Sequence, residues 1–65
     1  MIMELELMLI RKKAFKLYKK AADLGHLCGM NNLGYFYKEG IGTEINLQKA
    51  FGLYQKSAYL GSLGE

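Results

Sequence analysis

Residues 13–27 read K-A-F-K-L-Y-K-K-A-A-D-L-G-H-L, and residues 49–63 read K-A-F-G-L-Y-Q-K-S-A-Y-L-G-S-L. Ten of the fifteen aligned positions are identical. Chance would give about one, so the chain contains a repeat with a 36-residue period. Lys13, Ala14, Phe15, Leu17, Tyr18, Lys20, Ala22, Leu24, Gly25 and Leu27 return as Lys49, Ala50, Phe51, Leu53, Tyr54, Lys56, Ala58, Leu60, Gly61 and Leu63. A unit of this length is one supersecondary element. Alone it cannot bury its apolar face, and it stacks on its neighbours instead. The 65 residues hold about one and a half such units.

Outward from this stretch, glycine marks the breaks, because the chain has no proline. Gly25 and Gly29 bracket the first break, Gly40 and Gly42 the second, Gly61 and Gly64 the third. Between them the apolar spacing is helical. Met3, Leu7, Ile10, Ala14, Leu17, Ala21 and Leu24 recur at steps of four and three, which predicts one buried stripe along a helix over 3–24. Residues 3–9 also alternate as a strand would, but Met, Leu and Glu favour helix. A second helix is expected over 27–39, with Met30, Leu33, Gly34 and Tyr37 on one face and Gly40 as a left-handed cap. A third is expected over 47–59, capped by Asn46 or Thr43 and stopped by Gly61. Its buried side should hold Leu47, Ala50, Leu53 or Tyr54, Ser57 and Ala58. The fold class is all-α, three antiparallel helices in a helical-hairpin repeat.

The order and spacing carry a resemblance. The run K-A-F-K-L-Y-K-K-A-A-D-L-G-H, then N-L-G-Y-F-Y-K-E-G-I-G-T, then K-A-F-G-L-Y-Q-K-S-A, closely resembles the Sel-one-like repeat, a relative of the tetratricopeptide repeat. It covers roughly residues 12–64. Residues 12–26 and 48–62 then correspond to second helices, 27–39 to the first helix of the complete repeat, and 1–11 to a divergent N-terminal extension. Cys28, Met30 and Ser57 stand where the family usually has small residues. The resemblance implies an α-solenoid whose structural positions are Leu33, Gly34, Tyr37, Gly40, Gly42, Ala50, Leu53 and Tyr54.

Composition excludes several functions. Hydrophobic residues make up 51% of the chain and charged residues only 23%. That balance is too apolar for a disordered chain. One cysteine and one histidine cannot build a four-ligand zinc site or an internal disulfide. His26 and Cys28 read as a turn residue that helps cap the second helix and a small apolar side chain. Gly40-Ile41-Gly42-Thr43 lacks the lysine and the preceding strand of a phosphate loop. Glu39 and Glu44 form no acid–base pair. The sequence therefore predicts no catalytic residue, no metal and no cofactor.

The net charge is +3, and Arg11, Lys12, Lys13, Lys16, Lys19 and Lys20 fall within ten residues. This run suggests a small basic helix that binds anionic membrane or nucleic acid through residues 11–20. A solvated helix face explains it better. Phe15 and Tyr18 occupy repeat core positions, and the second copy keeps only Lys49 and Lys56. The absence of a leader and the single cysteine point to an intracellular, cytoplasmic protein.

The family resemblance implies a protein–protein interaction module or adaptor whose candidate binding surface is the exposed side of helix 27–39, namely Asn31, Tyr35, Lys38 and Glu39, with Cys28 beside them. A degenerate fragment without independent activity is the bland alternative. One and a half units should also leave two faces uncovered. Phe51, Leu53, Tyr54 and Leu60 at one end, and Ile2, Leu5, Met8 and Leu9 at the other, are expected to stay partly exposed. That predicts association with a second copy or with flanking repeats.

Overall fold

The computed structural model describes the backbone of residues 2–63 and the side chains of residues 4–62. It contains three helices: α1 (Ile2–Asp23), α2 (Leu27–Glu39) and α3 (Leu47–Leu63). No strand occurs among the described residues, so the alternation over 3–9 yields to helix.

Each break has a local cause. At the end of α1, Gly25 takes φ +88°, and its N–H donates to the Ala22 carbonyl at 3.0 Å while the His26 N–H reaches the Ala21 carbonyl at 3.1 Å. A positive φ costs glycine little because it has no Cβ. Gly40 ends α2 with φ 72°, and the Ile41 N–H donates to the Phe36 carbonyl at 2.9 Å. The loop then returns to α2, where the Asn46 N–H donates to the Tyr37 carbonyl at 2.8 Å. Asn46 caps α3 by accepting the Lys49 N–H on Oδ1 at 3.0 Å. His26 occupies the N-cap position of α2, but its side chain makes no capping bond.

The contacts make neighbouring helices antiparallel. Tyr37 near the end of α2 meets Phe15, Phe36 meets Tyr18, and Gly29 near the start of α2 lies against Ala21 and Ala22. On its other side α2 sets Gly34 against Tyr54 and Ala50, and Leu27 towards Gly61. The core is Ala22, Met30, Leu33, Tyr37 and Ala50, with Phe15, Tyr18, Leu53, Tyr54 and Leu60 packed around it. α2 is thus the central element, packed on both sides.

Several expectations require correction. The stripe Leu7–Ile10–Leu17–Leu24 is not buried: Leu17 is 68% exposed and Leu24 71%. The face of α1 that meets α2 is rotated from it and carries Phe15, Tyr18, Ala21 and Ala22. A stripe identifies a helix, but the side that is buried depends on where the next helix lies. Leu47 and Ala58 are exposed on α3, while Ala50 and Ser57 are buried. Gly61 does not stop α3, which continues to Leu63. Residues 2–11 are the first turns of α1 itself and continue without a break into 12–23. As expected, Leu5, Met8 and Leu9 are exposed, within a stretch, residues 4–13, that is exposed throughout. The Ile2 side chain and Gly64 lie outside the described residues. At the other end the expected partial exposure is found: Phe51 is exposed, and Leu53, Tyr54 and Leu60 are half-buried.

Candidate functional site

α2 has two unlike sides. Met30, Leu33, Gly34 and Tyr37 are buried, and Met30 keeps only 1% of its surface. Opposite them Cys28, Asn31, Tyr35, Lys38 and Glu39 are exposed. Steps of three and four place these on one side of the helix. Tyr35 is 48% exposed at the middle of the surface. Asn32 is turned back onto the helix, its Nδ2 donating to the Cys28 carbonyl at 2.8 Å. Cys28 is therefore a surface residue and not an apolar filler.

Close backbone approach seats α2 between its two neighbours. A Cβ placed on Gly34 would fall 3.0 Å from the Tyr54 ring and 3.3 Å from the Ala50 carbonyl oxygen. One on Gly29 would fall 2.7 Å from the Ala21 Cβ and 2.9 Å from the Ala22 nitrogen. The Gly29 contact was not legible as such, because the glycine also reads as part of the break after α1. Its position five before Gly34, on the side facing an Ala-Ala pair, was the available signal. Gly42, at φ +70°, lies against the Arg11 carbonyl and the Phe15 Cβ, which ties the second turn to α1.

The basic run on α1 is exposed from Arg11 to Lys13 and at Lys16, Lys19 and Lys20. Its aromatic residues are committed elsewhere. Phe15 packs edge-on to Tyr37 at 5.4 Å between centroids, and Tyr18 edge-on to Phe36 at 5.2 Å. Both rings are half-buried in these contacts and not displayed as a row of exposed stacking platforms. A groove of about 300 Å³ runs between α1 and α3, with Leu33, Tyr37 and Leu53 on its floor and Lys19, Asp23, Lys49 and Lys56 around it. Lys49 Nζ lies 5.3 Å from the Tyr37 ring centroid. A second groove of about 520 Å³ lies between α1 and the loop after α2. Its charged residues Glu4, Arg11, Lys12 and Glu44 balance, so it favours neither sign of ligand. Among the described residues no group of three or more His, Cys, Asp or Glu side chains is placed to hold a metal ion. No helix among them is long and apolar enough to cross a membrane.

Known proteins match the same residues that build this packing. The Sel1 repeat model matches residues 11–26 and 29–62. Over 50 residues the chain is 42% identical to the sel1-like repeat-containing protein L21 of Acanthamoeba polyphaga mimivirus. That match covers 77% of this chain and 9% of the relative, so the chain spans a small part of that protein's length. No solved structure matches it. Sel1 repeats form a family of repeat scaffolds that generally mediate contacts between proteins. With the family model covering most of the chain and the paired helices built on its repeat positions, the chain belongs to the Sel1 repeat family.

Proposed function

We propose that this chain is an adaptor segment that presents the exposed side of α2 to a partner protein and carries out no bond chemistry of its own. The reading rests on one observation: Asn31, Tyr35, Lys38 and Glu39 form an exposed strip on α2, the helix that, among the described residues, packs against both others. Such a strip costs little entropy to use, because its backbone is already fixed. Tyrosine adds contact area with few rotatable bonds, and asparagine and lysine add directional hydrogen bonds. The chain works inside the cell, alongside flanking repeats or further copies that cover its apolar ends.

The test is photocrosslinking from p-benzoylphenylalanine at position 35, with position 55 on α3 as the control. The expected result is a discrete protein adduct from position 35 that is lost in the Asn31→Ala/Lys38→Glu variant. Equal yields from both positions, or an adduct indifferent to that variant, would count against the reading. The basic-helix alternative predicts binding to anionic vesicles or single-stranded DNA that weakens steeply with salt.

A further inference from the structure

α1 is longer than its repeated copy requires. The family match begins at residue 11, and the positions 36 on from Glu4–Ile10 are Gly40–Asn46, the loop between α2 and α3. The contacts that α1 and α3 make with α2 therefore give no template for covering these first turns. The turns are nevertheless apolar and open: Leu5, Leu7, Met8, Leu9 and Ile10 are all exposed. An exposed apolar stretch of this kind marks a surface that another chain covers.

One side of the stretch already has the shape of a seat. The loop after α2 is held on α1 at Gly42, which lies against the Arg11 carbonyl. The notch of about 520 Å³ begins there, with the loop closing one end and Glu4, Leu7, Met8 and Arg11 lining it from α1. These four residues fall on one side of the helix, in the order acidic, apolar, apolar, basic. The charges of the notch balance, so a ligand of a single sign gains nothing in it. A fitting occupant carries both signs, in the opposite order and at the same spacing.

A second copy of α1, laid antiparallel, meets that requirement. With a two-fold axis between residues 7 and 8, Leu7 of each copy faces Met8 of the other. Glu4 and Arg11 lie equally far on either side of that axis, so each Glu4 faces the other copy's Arg11. The same patch then serves both chains, as a two-fold interface demands. Because the loop touches α1 at Arg11, the first turns of each copy also reach the loop end of the other's notch. A parallel pair would instead set Glu4 on Glu4 and Arg11 on Arg11.

We propose that the chain forms a two-fold dimer through the antiparallel first turns of α1. Each copy fills the notch of the other, with Glu4–Arg11 pairs at both ends and Leu7 and Met8 between them. The inference rests on one clause of the proposed function, that further copies cover an apolar end. It is independent of what the Asn31–Glu39 strip binds, so crosslinking from position 35 can fail with the dimer intact, and the reverse.

The test is sedimentation equilibrium on the full chain and on surface variants, with far-UV circular dichroism to show that each variant keeps its helices. The chain should be dimeric at micromolar concentration. Glu4→Arg and Arg11→Glu should each weaken self-association at least about tenfold, because each brings like charges together twice in the dimer. An equimolar mixture of the two variants should dimerise as well as the original chain, since every pair across the axis is then opposite in sign. In a Cys28→Ser background, Leu7→Cys should crosslink to itself on oxidation. Glu4→Cys should not, because antiparallel packing holds the two copies of position 4 about 10 Å apart along the axis. The proposal is overturned if the chain is monomeric, if the mixture fails to recover the dimer, or if Glu4→Cys crosslinks as readily as Leu7→Cys. It is equally overturned if self-association survives Glu4→Arg but is lost with Leu17→Lys or Phe51→Lys, which would put the contact on the repeat faces.

Discussion

α1 and α3 carry the same helix twice, and the two copies bury opposite halves of it. Phe15 packs on Tyr37, whereas Phe51 faces water. Ala22 is in the core, whereas Ala58 is exposed. In the other direction Leu53 packs against the core, whereas Leu17 is 68% exposed. Leu60 and Leu24 repeat that contrast. The tyrosines, Tyr18 and Tyr54, touch α2 from both copies, because they sit where the two halves meet. A helix of this repeat is therefore built for two neighbours at once. Its sequence satisfies both, and each copy here meets one of them through the same α2.

The contrast is sharpest where equivalent substitutions should give unequal results, read as unfolding free energies from urea titrations followed by far-UV circular dichroism. The largest difference is expected for Ala50→Leu against Ala14→Leu. Ala50 is fully buried and its carbonyl faces Gly34, whereas Ala14 is half-buried. Overpacking should cost ~3 kcal/mol at Ala50 and under ~1 kcal/mol at Ala14. Similar losses at the two sites would mean that α1 also packs through its Ala14–Leu17 half.

Next comes Phe15→Ala, which removes the edge-on contact with Tyr37. It should cost about 2 kcal/mol at this half-buried site. Phe51→Ala should stay within ~0.5 kcal/mol in the same chain. In a tandem chain in which residues 1–63 are followed by a second copy of residues 28–63, the Phe51 cost should rise towards the Phe15 value, because a helix would then cover Phe51 as α2 covers Phe15.

A third pair should differ in sign. Gly25→Ala forces a side chain into φ +88°. It should destabilise by about 1 kcal/mol. Gly61→Ala fills a helical position, and its Cβ would meet the Leu27 side chain at 3.9 Å, an ordinary contact. It should stabilise by ~0.5–1 kcal/mol. A loss at both sites would show that Gly61 already acts as a stop. The smallest effect is expected at the residues that follow these glycines. His26→Asn supplies the side-chain cap that α2 lacks. The gain should be about 0.5 kcal/mol. Ser62→Asn lies within α3, where no cap is needed. Serine and asparagine have similar helix propensities, so this change should leave the unfolding free energy where it is. An equal gain from both variants would show that α3 also ends at its glycine.

Much of this architecture is legible before any coordinate. The 36-residue echo, the glycine breaks, the Asn46 cap and the left-handed Gly40 follow from local chemistry that acts over a few residues. The exposed strip Asn31–Glu39 follows from helical spacing once the buried side of α2 is known. Less legible were the burial of α1 and the end of α3. Met3–Leu24 is a regular apolar stripe, yet α2 lies beside a different set of side chains. Gly29 looked like punctuation, although it also permits α2 to approach α1 so closely that a Cβ there would lie 2.7 Å from the Ala21 Cβ.

The chain by itself therefore determines that there are three helices, where two of them turn, and that the outer two are copies of one design. Those properties depend on propensity, capping and periodicity, which the same residues express wherever they occur. Only the tertiary structure decides which half of each copy is covered and whether the glycine at its end acts as a stop. Burial belongs to a pair of surfaces, and Phe15 and Phe51 differ only in having α2 beside them or water.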